Sequence, residues 1–504
     1  MTRVKSFGIN GIDGFIVDVE IDISKSLPGM LLVGLPDTSV KESKERVQSA
    51  IRNSGASMPL GRIVINLAPA DMRKEGVVYD LPIALGILAA AGEIDEEQLS
   101  EYAFVGELSL SGEIRRINGV LPILITAKQL GIKKVVVPAE NAHEASFIEG
   151  VEVYTAESLM QVLKWDLKKV EPNSFEKIRQ AATASVDMKY VKGQYIAKRA
   201  LEIAAAGGHN VLLVGPPGSG KTMLAKCFPG ILPDLTFAES IETTKIHSIA
   251  GTLDLNTGIL VHRPFRTPHH TASLVALAGG GAKSKPGEIS LAHNGVLFLD
   301  EMPEYPRSSL EMLRQPLEDN KITIARAAVT VDYPASFTLI ASMNPCPCGF
   351  YGSRARQCKC RQSDVVRYLA RLSGPLMDRL DLHIEVDSVT YDDLAADSTE
   401  ETSEAIKARV DAARKVQLER FEGTGIYSNA KMAAQQAKKY CALDKHGEKV
   451  LREAFEKLQM SARGYTRVLR VARTIADLEG SDAITREHIL EAVGYRCLDK
   501  KYGR

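Results

Sequence analysis

Short apolar runs punctuate the middle of the chain: Val211–Val214, Val296–Leu299 and Phe337–Ala341 each stand between polar segments. Runs of this length, bounded by glycine, acidic or amide residues, suit strands buried on both faces of a sheet. Nearer the start, Gly14–Glu20, Arg62–Asn66 and Lys134–Val137 read as strands, and helical patterns lie between them at Val40–Ser54 and Val120–Leu130. Strands alternating with helices predict an α/β fold. Four segments follow. Residues 1–165 form a first α/β zone, and 166–189 a polar linker containing a short amphipathic helix (FEKIRQAA). Residues 190–387 form a second α/β zone, and 388–504 a strand-poor, helix-rich tail. The charged stretch Asp392–Glu404 reads as a solvated connection.

Composition adds bounds. The 504 residues are 45% hydrophobic and 25% charged, enough for several cores. Lysine plus arginine equals aspartate plus glutamate at 63 each, which argues against a uniformly basic surface but allows a local basic channel. The N-terminal MTRVKSFGIN lacks the apolar core of a signal peptide. The most apolar stretch, Leu81–Gly92, is too short to span a bilayer. A soluble cytoplasmic protein without a membrane partner is expected.

The chemistry begins after the first buried run. Gly215-Pro216-Pro217-Gly218-Ser219-Gly220-Lys221-Thr222, followed by a helical run from Met223, is a phosphate-binding loop in its strand–loop–helix setting. Its backbone N–H groups can face phosphates, Lys221 can supply a charge, and Thr222 a hydroxyl for Mg²⁺. Residues 215–223 are therefore the predicted ATP contacts. The second run ends in Asp300-Glu301, where Asp300 can hold Mg²⁺ through water and Glu301 can act as general base. The third leads to Asn344, whose amide can orient the attacking water or contact the γ-phosphate. Arg379, just before a last strand, could reach the γ-phosphate of a neighbouring subunit. Several arginines from Arg463 to Arg473 recur at helical spacing, and one of them is expected to reach the nucleotide.

Four cysteines, Cys346, Cys348, Cys358 and Cys360, can fill a tetrahedral Zn²⁺ shell, the alternative being four reduced thiols in a loop. Arg354 and Arg356 lie among them, and a metal-pinned cationic loop would suit phosphate contacts. Cys227, Cys441 and Cys497 read as solitary buried thiols.

The order of phosphate loop, Leu-Asp-Glu, asparagine after a strand, Asp-Arg before a strand and arginine-bearing helices resembles AAA+ ATPases. Gly193-Gln194 with Ala200–Asn210, Arg263–His270 and Pro286–His293 are similar to the YifB/ComM family of magnesium-chelatase-like proteins. The resemblance implies a homo-oligomeric ring, a hexamer. It implies Arg379 as a finger acting in trans, Arg467 as the sensor of a helical lid, and ATP with Mg²⁺ as cofactors. It further implies a DNA motor: a branch-migration helicase in natural transformation or recombination. A protein remodeller or metal-insertion motor is the alternative. Lys321–Val331 alternates like a hairpin. In this branch such hairpins point into the ring's pore, making Lys321 and Arg326 candidate DNA contacts; Arg326 could equally pack within the subunit.

Asn66–Gly76 and Gly106–Gly119 resemble the Lon protease fold, an α+β domain. Lon-type proteolysis needs a serine nucleophile and a lysine base. Here residues 77–80 carry no serine and 120–123 no lysine, so the fold is expected without the protease.

Overall fold

The computed structural model describes residues 1–181, 186–281, 284–325, 330–353, 356–388 and 400–496. Its first part is one eight-stranded sheet built from β1 (Thr2–Asn10), β2 (Asp13–Ser24), β3 (Gly29–Val33), β4 (Arg62–Ala68), β5 (Tyr102–Phe104), β6 (Lys134–Pro138), β7 (Glu152–Ala156) and β8 (Lys168–Lys169). The spatial order is β8-β7-β6-β5-β1-β2-β4-β3. The sheet is mixed. β1, β2 and β4 pair antiparallel, whereas β5, β6 and β7 run parallel. It extends to Lys169, four residues beyond the expected edge of this zone.

Side chains alternate between two faces with the period of two that a pleated strand imposes. Val4, Val17, Val19 and Ile21 bury one face together with α1 (Thr38–Asn53) and α2 (Asp80–Ala90). Phe7 buries the other with α3 (Val120–Gln129). The stretch Leu81–Gly92 thus belongs largely to α2, a core helix with apolar residues on every side. No helix among the described residues is long and apolar enough to cross a membrane.

The second part is a five-stranded sheet of β9 (Val211–Val214), β10 (Phe265–Arg266), β11 (Val296–Leu299), β14 (Thr338–Met343) and β15 (Leu382–Glu385). β12 (Lys321–Ala325) and β13 (Thr330–Pro334) form a separate hairpin. The sheet order is β10-β11-β14-β9-β15, and every pairing is parallel. Loops leaving the carboxyl ends of these strands therefore gather on one edge, where α/β sheets bind ligands. The three apolar runs are its central strands, as their patterning predicts.

Helix α4 (Tyr195–Gly207) precedes β9, α5 (Lys221–Cys227) follows it, and α6 (Phe237–Ala250) opens the long segment before β11. The tail contributes α7 (Ser403–Arg420), α8 (Lys445–Leu458), α9 (Ala462–Leu478) and α10 (Arg486–Gly494). Its buried residues Val410, Val468, Ala472 and Ile475 belong to one core with Leu201 and Ala204 of α4 and Leu213 of β9. The helical tail is thus packed onto the sheet.

Two expectations change. Residues 389–399 lie outside the described part, but Glu400, within the stretch expected to be a solvated connection, has a side chain only 5% exposed. It accepts from Lys198 at 2.6 Å and from the Gly193 amide at 3.0 Å. The predicted linker helix forms at Phe175–Ala181, but Phe175 is buried with Phe147, Ile259 and Val261. The segment pins the two halves together.

Candidate nucleotide site

Gly218 (φ +77°) and Gly220 (φ +89°) adopt left-handed backbone in the turn from β9 to α5, a conformation side chains resist. The Lys221 ammonium donates to the carbonyl oxygens of Gly215 and Pro216, both at 2.8 Å, and lies 3.4 Å from Asn344 Oδ1. Burial lowers the Lys221 pKa, and the charges of Asp300 and Glu301 oppose that shift. Ser219 is buried within the loop, whereas Pro217, Gly218 and Met223 are exposed on it.

Asp300 and Glu301 follow β11 at the same edge. Thr222 Oγ1 donates to Asp300 Oδ2 at 3.1 Å. Ser342, on the neighbouring strand β14, hydrogen-bonds the other Asp300 oxygen and accepts from the Glu301 amide at 3.1 Å. Glu301 itself has left-handed backbone (φ +51°) and an exposed side chain. The strained turn leaves its carboxylate beside the loop rather than folded onto the sheet. A hydroxyl, a buried-edge carboxylate, an ammonium and an amide thus converge where a nucleotide triphosphate and a hydrated divalent cation would sit. The group fits, because Thr222 and Asp300, the oxygen donors that would hold the cation, already lie 3.1 Å apart.

Arg379 and Arg467 occupy the opposite edge. Asp381 and Asn210 immediately precede β15 and β9, so they mark the amino ends of the strands. Strands of four residues span ~13 Å, which separates this edge from the phosphate loop. The Asn210 amide side chain donates to the Arg379 carbonyl (2.9 Å) and accepts from the Leu339 amide (2.8 Å). Arg467 Nε lies 3.4 Å from Asp381 Oδ1. Arg379 pairs with Glu318. With Lys431, Arg463 and Arg470 these arginines line a cavity of about 830 Å³. Nε of Arg379, Nη1 of Arg467 and Nε of Arg470 are buried without a hydrogen-bond acceptor. Unpaired buried guanidinium donors are costly, and the cationic lining of the cavity suits an anion. Arg467 of α9, expected to reach a nucleotide, therefore stands at the edge away from the phosphate loop of its own chain.

Burial would raise the Asp381 carboxyl, but the hydrogen bond to His209 and the charges of Arg467 and Arg470 outweigh it and hold the group at about 2. His209 and Asn210, read only as part of a family signature, therefore tie β9 to α9 and to Arg379. Ser342 was likewise missed. Its only signal is a lone hydroxyl near the end of an apolar strand, two residues before Asn344.

The four cysteines come together. All four Sγ atoms lie within 4.8 Å of one another, with Cys346–Cys348 at 3.4 Å, Cys348–Cys358 at 3.6 Å and Cys346–Cys358 at 3.7 Å. A tetrahedral site with Zn–S bonds of ~2.3 Å has S···S edges of about 3.8 Å, so this donor set fits zinc. The amides of Tyr351 and Cys360 donate to Cys346 and Cys358 sulfur. Arg356 is exposed and stacks over Phe350, 5.0 Å from the ring centroid. Arg354, Arg326 and Cys497 lie outside the described residues. Lys321 forms an exposed ion pair with Asp332 at 2.6 Å and pairs with Pro334 at the foot of the hairpin. Cys227 and Cys441 are buried, as expected.

Parallel order, phosphate loop, acidic strand end and strand-end asparagine together define a P-loop nucleotide-binding protein of the AAA+ type. Residues 187–394 match the family described as magnesium chelatase, subunit ChlI. Residues 19–141 match subunit ChlI of Mg-chelatase, and 400–496 the ChlI C-terminal family. The competence protein ComM of Haemophilus influenzae is 43% identical over 495 residues, covering 97% of this chain and 96% of that one. The YifB protein of Escherichia coli is 44% identical over 496 residues, with the same coverage. The chain belongs to the YifB/ComM family of magnesium-chelatase-like proteins. Lon protease 2 of Bacillus subtilis is 33% identical over 124 residues, 24% of this chain and 22% of that protein.

Proposed function

We propose that this protein is an ATP-hydrolysing DNA motor that works as a hexameric ring, acting as a branch-migration helicase in natural transformation or recombination. One observation carries the mechanical part. Lys221, Thr222, Asp300 and Asn344 converge at one edge of the sheet, while Arg379 and Arg467 face a cavity at the other. A chain with its phosphate site and its arginine-lined cavity on opposite edges has half of two sites. Stacked head to tail, one copy's arginines meet the next copy's γ-phosphate, and closure of such heterologous contacts gives a ring.

In this reading Lys221 and residues 215–223 bind ATP, and Thr222 and Asp300 hold Mg²⁺, which neutralises the phosphate oxygens. Glu301 takes the proton of the attacking water, which Asn344 orients, and Arg379 with Arg467 stabilises the transferred charge from the neighbour. The four cysteines hold zinc. The chain divides into a Lon-like domain without the catalytic pair (1–165), a linker (166–189), an AAA+ core (190–387) and a helical lid (388–504). The hairpin cations Lys321 and Arg326, and Arg354 and Arg356 of the cysteine loop, are the DNA contacts. The name competence protein, carried by a relative covering nearly the whole chain, favours DNA.

Steady-state ATPase activity with single-stranded, duplex and branched DNA at a stated salt concentration tests this. Stimulation by DNA, lost in Lys321→Ala, is expected. Full activity indifferent to every DNA would favour a protein remodeller or metal-insertion motor, the reading that the magnesium-chelatase family match keeps open.

A further inference from the structure

The cysteine loop touches the phosphate loop. β14 ends at Met343, Asn344 follows, and Cys346 is the first sulfur of the cluster, so one residue separates the candidate water-positioning amide from the metal shell. Cys346 is fully buried, and its carbonyl accepts from the Gly349 amide at 2.9 Å. That tight turn gives Gly349 a left-handed backbone (φ +84°) and lays it against Pro217 of the phosphate loop. The approach is so close that a Cβ on Gly349 would stand 2.5 Å from Pro217 Cδ. Cys358 and Cys360 return to the same cluster from the far side of the loop.

We infer that the four-cysteine zinc site is a clip for the ATP site: zinc closes the loop, and the closed loop fixes Asn344 and braces Pro217. This rests on the ATPase reading and adds a metal requirement to it. Four thiolates draw Cys358 and Cys360 onto Cys346 and Cys348. Without the ion, four thiolates would repel one another and four thiols would hold only weakly, so the turn through Gly349 loses its closure. Asn344 and Pro217 then gain freedom on either side of Lys221. The clip acts through other residues and touches no reacting atom.

The test measures zinc per chain by mass spectrometry, binding of a fluorescent ATP analogue, and kcat and KM for ATP. Wild type should carry one zinc. Cys358→Ser with Cys360→Ser should lose it, and kcat should fall about tenfold or more, the scale of loss when a positioning group shifts within an active site. Cys360→His, which keeps a zinc ligand, should retain both metal and turnover. Gly349→Ala should keep the zinc yet weaken analogue binding, which loss of fold in the serine variant would not explain. Zinc-free wild type with full turnover, a zinc-free variant with wild-type kinetics, or zinc-loaded Gly349→Ala with wild-type affinity would each overturn the clip. A zinc-loaded wild type without turnover would instead count against the ATPase reading, and analogue binding would still decide the clip.

Discussion

Asp381 gathers a histidine and two arginines around one buried carboxylate, and its behaviour follows from them. His209 and the arginines at 467 and 470 hold it at about 2 against an ordinary 3.8. A depressed carboxyl stabilises the fold fully above its unfolded pKa and loses that contribution as pH falls through its folded pKa. The stabilisation should therefore be complete above about pH 4 and gone near pH 2, and is on the order of 2 kcal/mol. Asp381→Asn should be less stable than wild type to denaturant at neutral pH, with the difference closing across that acid window. At the phosphate end, Glu301→Gln should bind ATP normally while turnover falls about a hundredfold or more, as expected on losing a general base. Lys221→Ala should weaken binding itself; nucleotide titration separates the two. The phosphate-loop residues were legible because their chemistry is contiguous in sequence. The Asp381 cluster was not, because its partners come from the turn before β9 and from α9 and meet only when the tail packs on the sheet.

Elements were legible where their period was clean. The apolar runs became β9, β11 and much of β14, and Val120–Leu130 became α3 with its end shifted by one residue. What the pattern missed was tertiary. Alternation of strand and helix reads the same whether a sheet is parallel or mixed, so the antiparallel β1, β2 and β4 were invisible. Charge runs read as solvated unless a partner is known, which hid the buried pair of Glu400 with Lys198. The β12–β13 hairpin was read from its alternation, and its foot is tied by the exposed Lys321–Asp332 pair. Exposed pairs are screened and contribute little. Lys321→Ala should therefore leave the melting temperature unchanged and reduce only DNA stimulation of ATPase activity; a large thermal shift would mark the lysine as structural.

At the level of the whole molecule, the two sites at opposite edges predict complementation. Lys221→Ala and Arg379→Ala should each be inactive alone. Mixed in equal amounts, they should regain activity, because an intact phosphate loop can sit beside an intact arginine in a mixed ring. If the mixture stays inactive, Arg379 works within its own chain or not at all. The first sheet is equally committed to its neighbour. Glu144 accepts from the Leu121 amide and is bonded to Ser248 of α6, whose hydroxyl also accepts from the Gly119 amide. Phe147 and Phe175 cover Ile259 and Val261. A shortened chain beginning near residue 186, the natural choice for isolating the ATPase, would uncover that apolar patch and orphan Ser248. Its insolubility would say nothing about whether ATP hydrolysis needs the first part of the chain. A fair excision would also replace Ile259 and Val261 with polar residues.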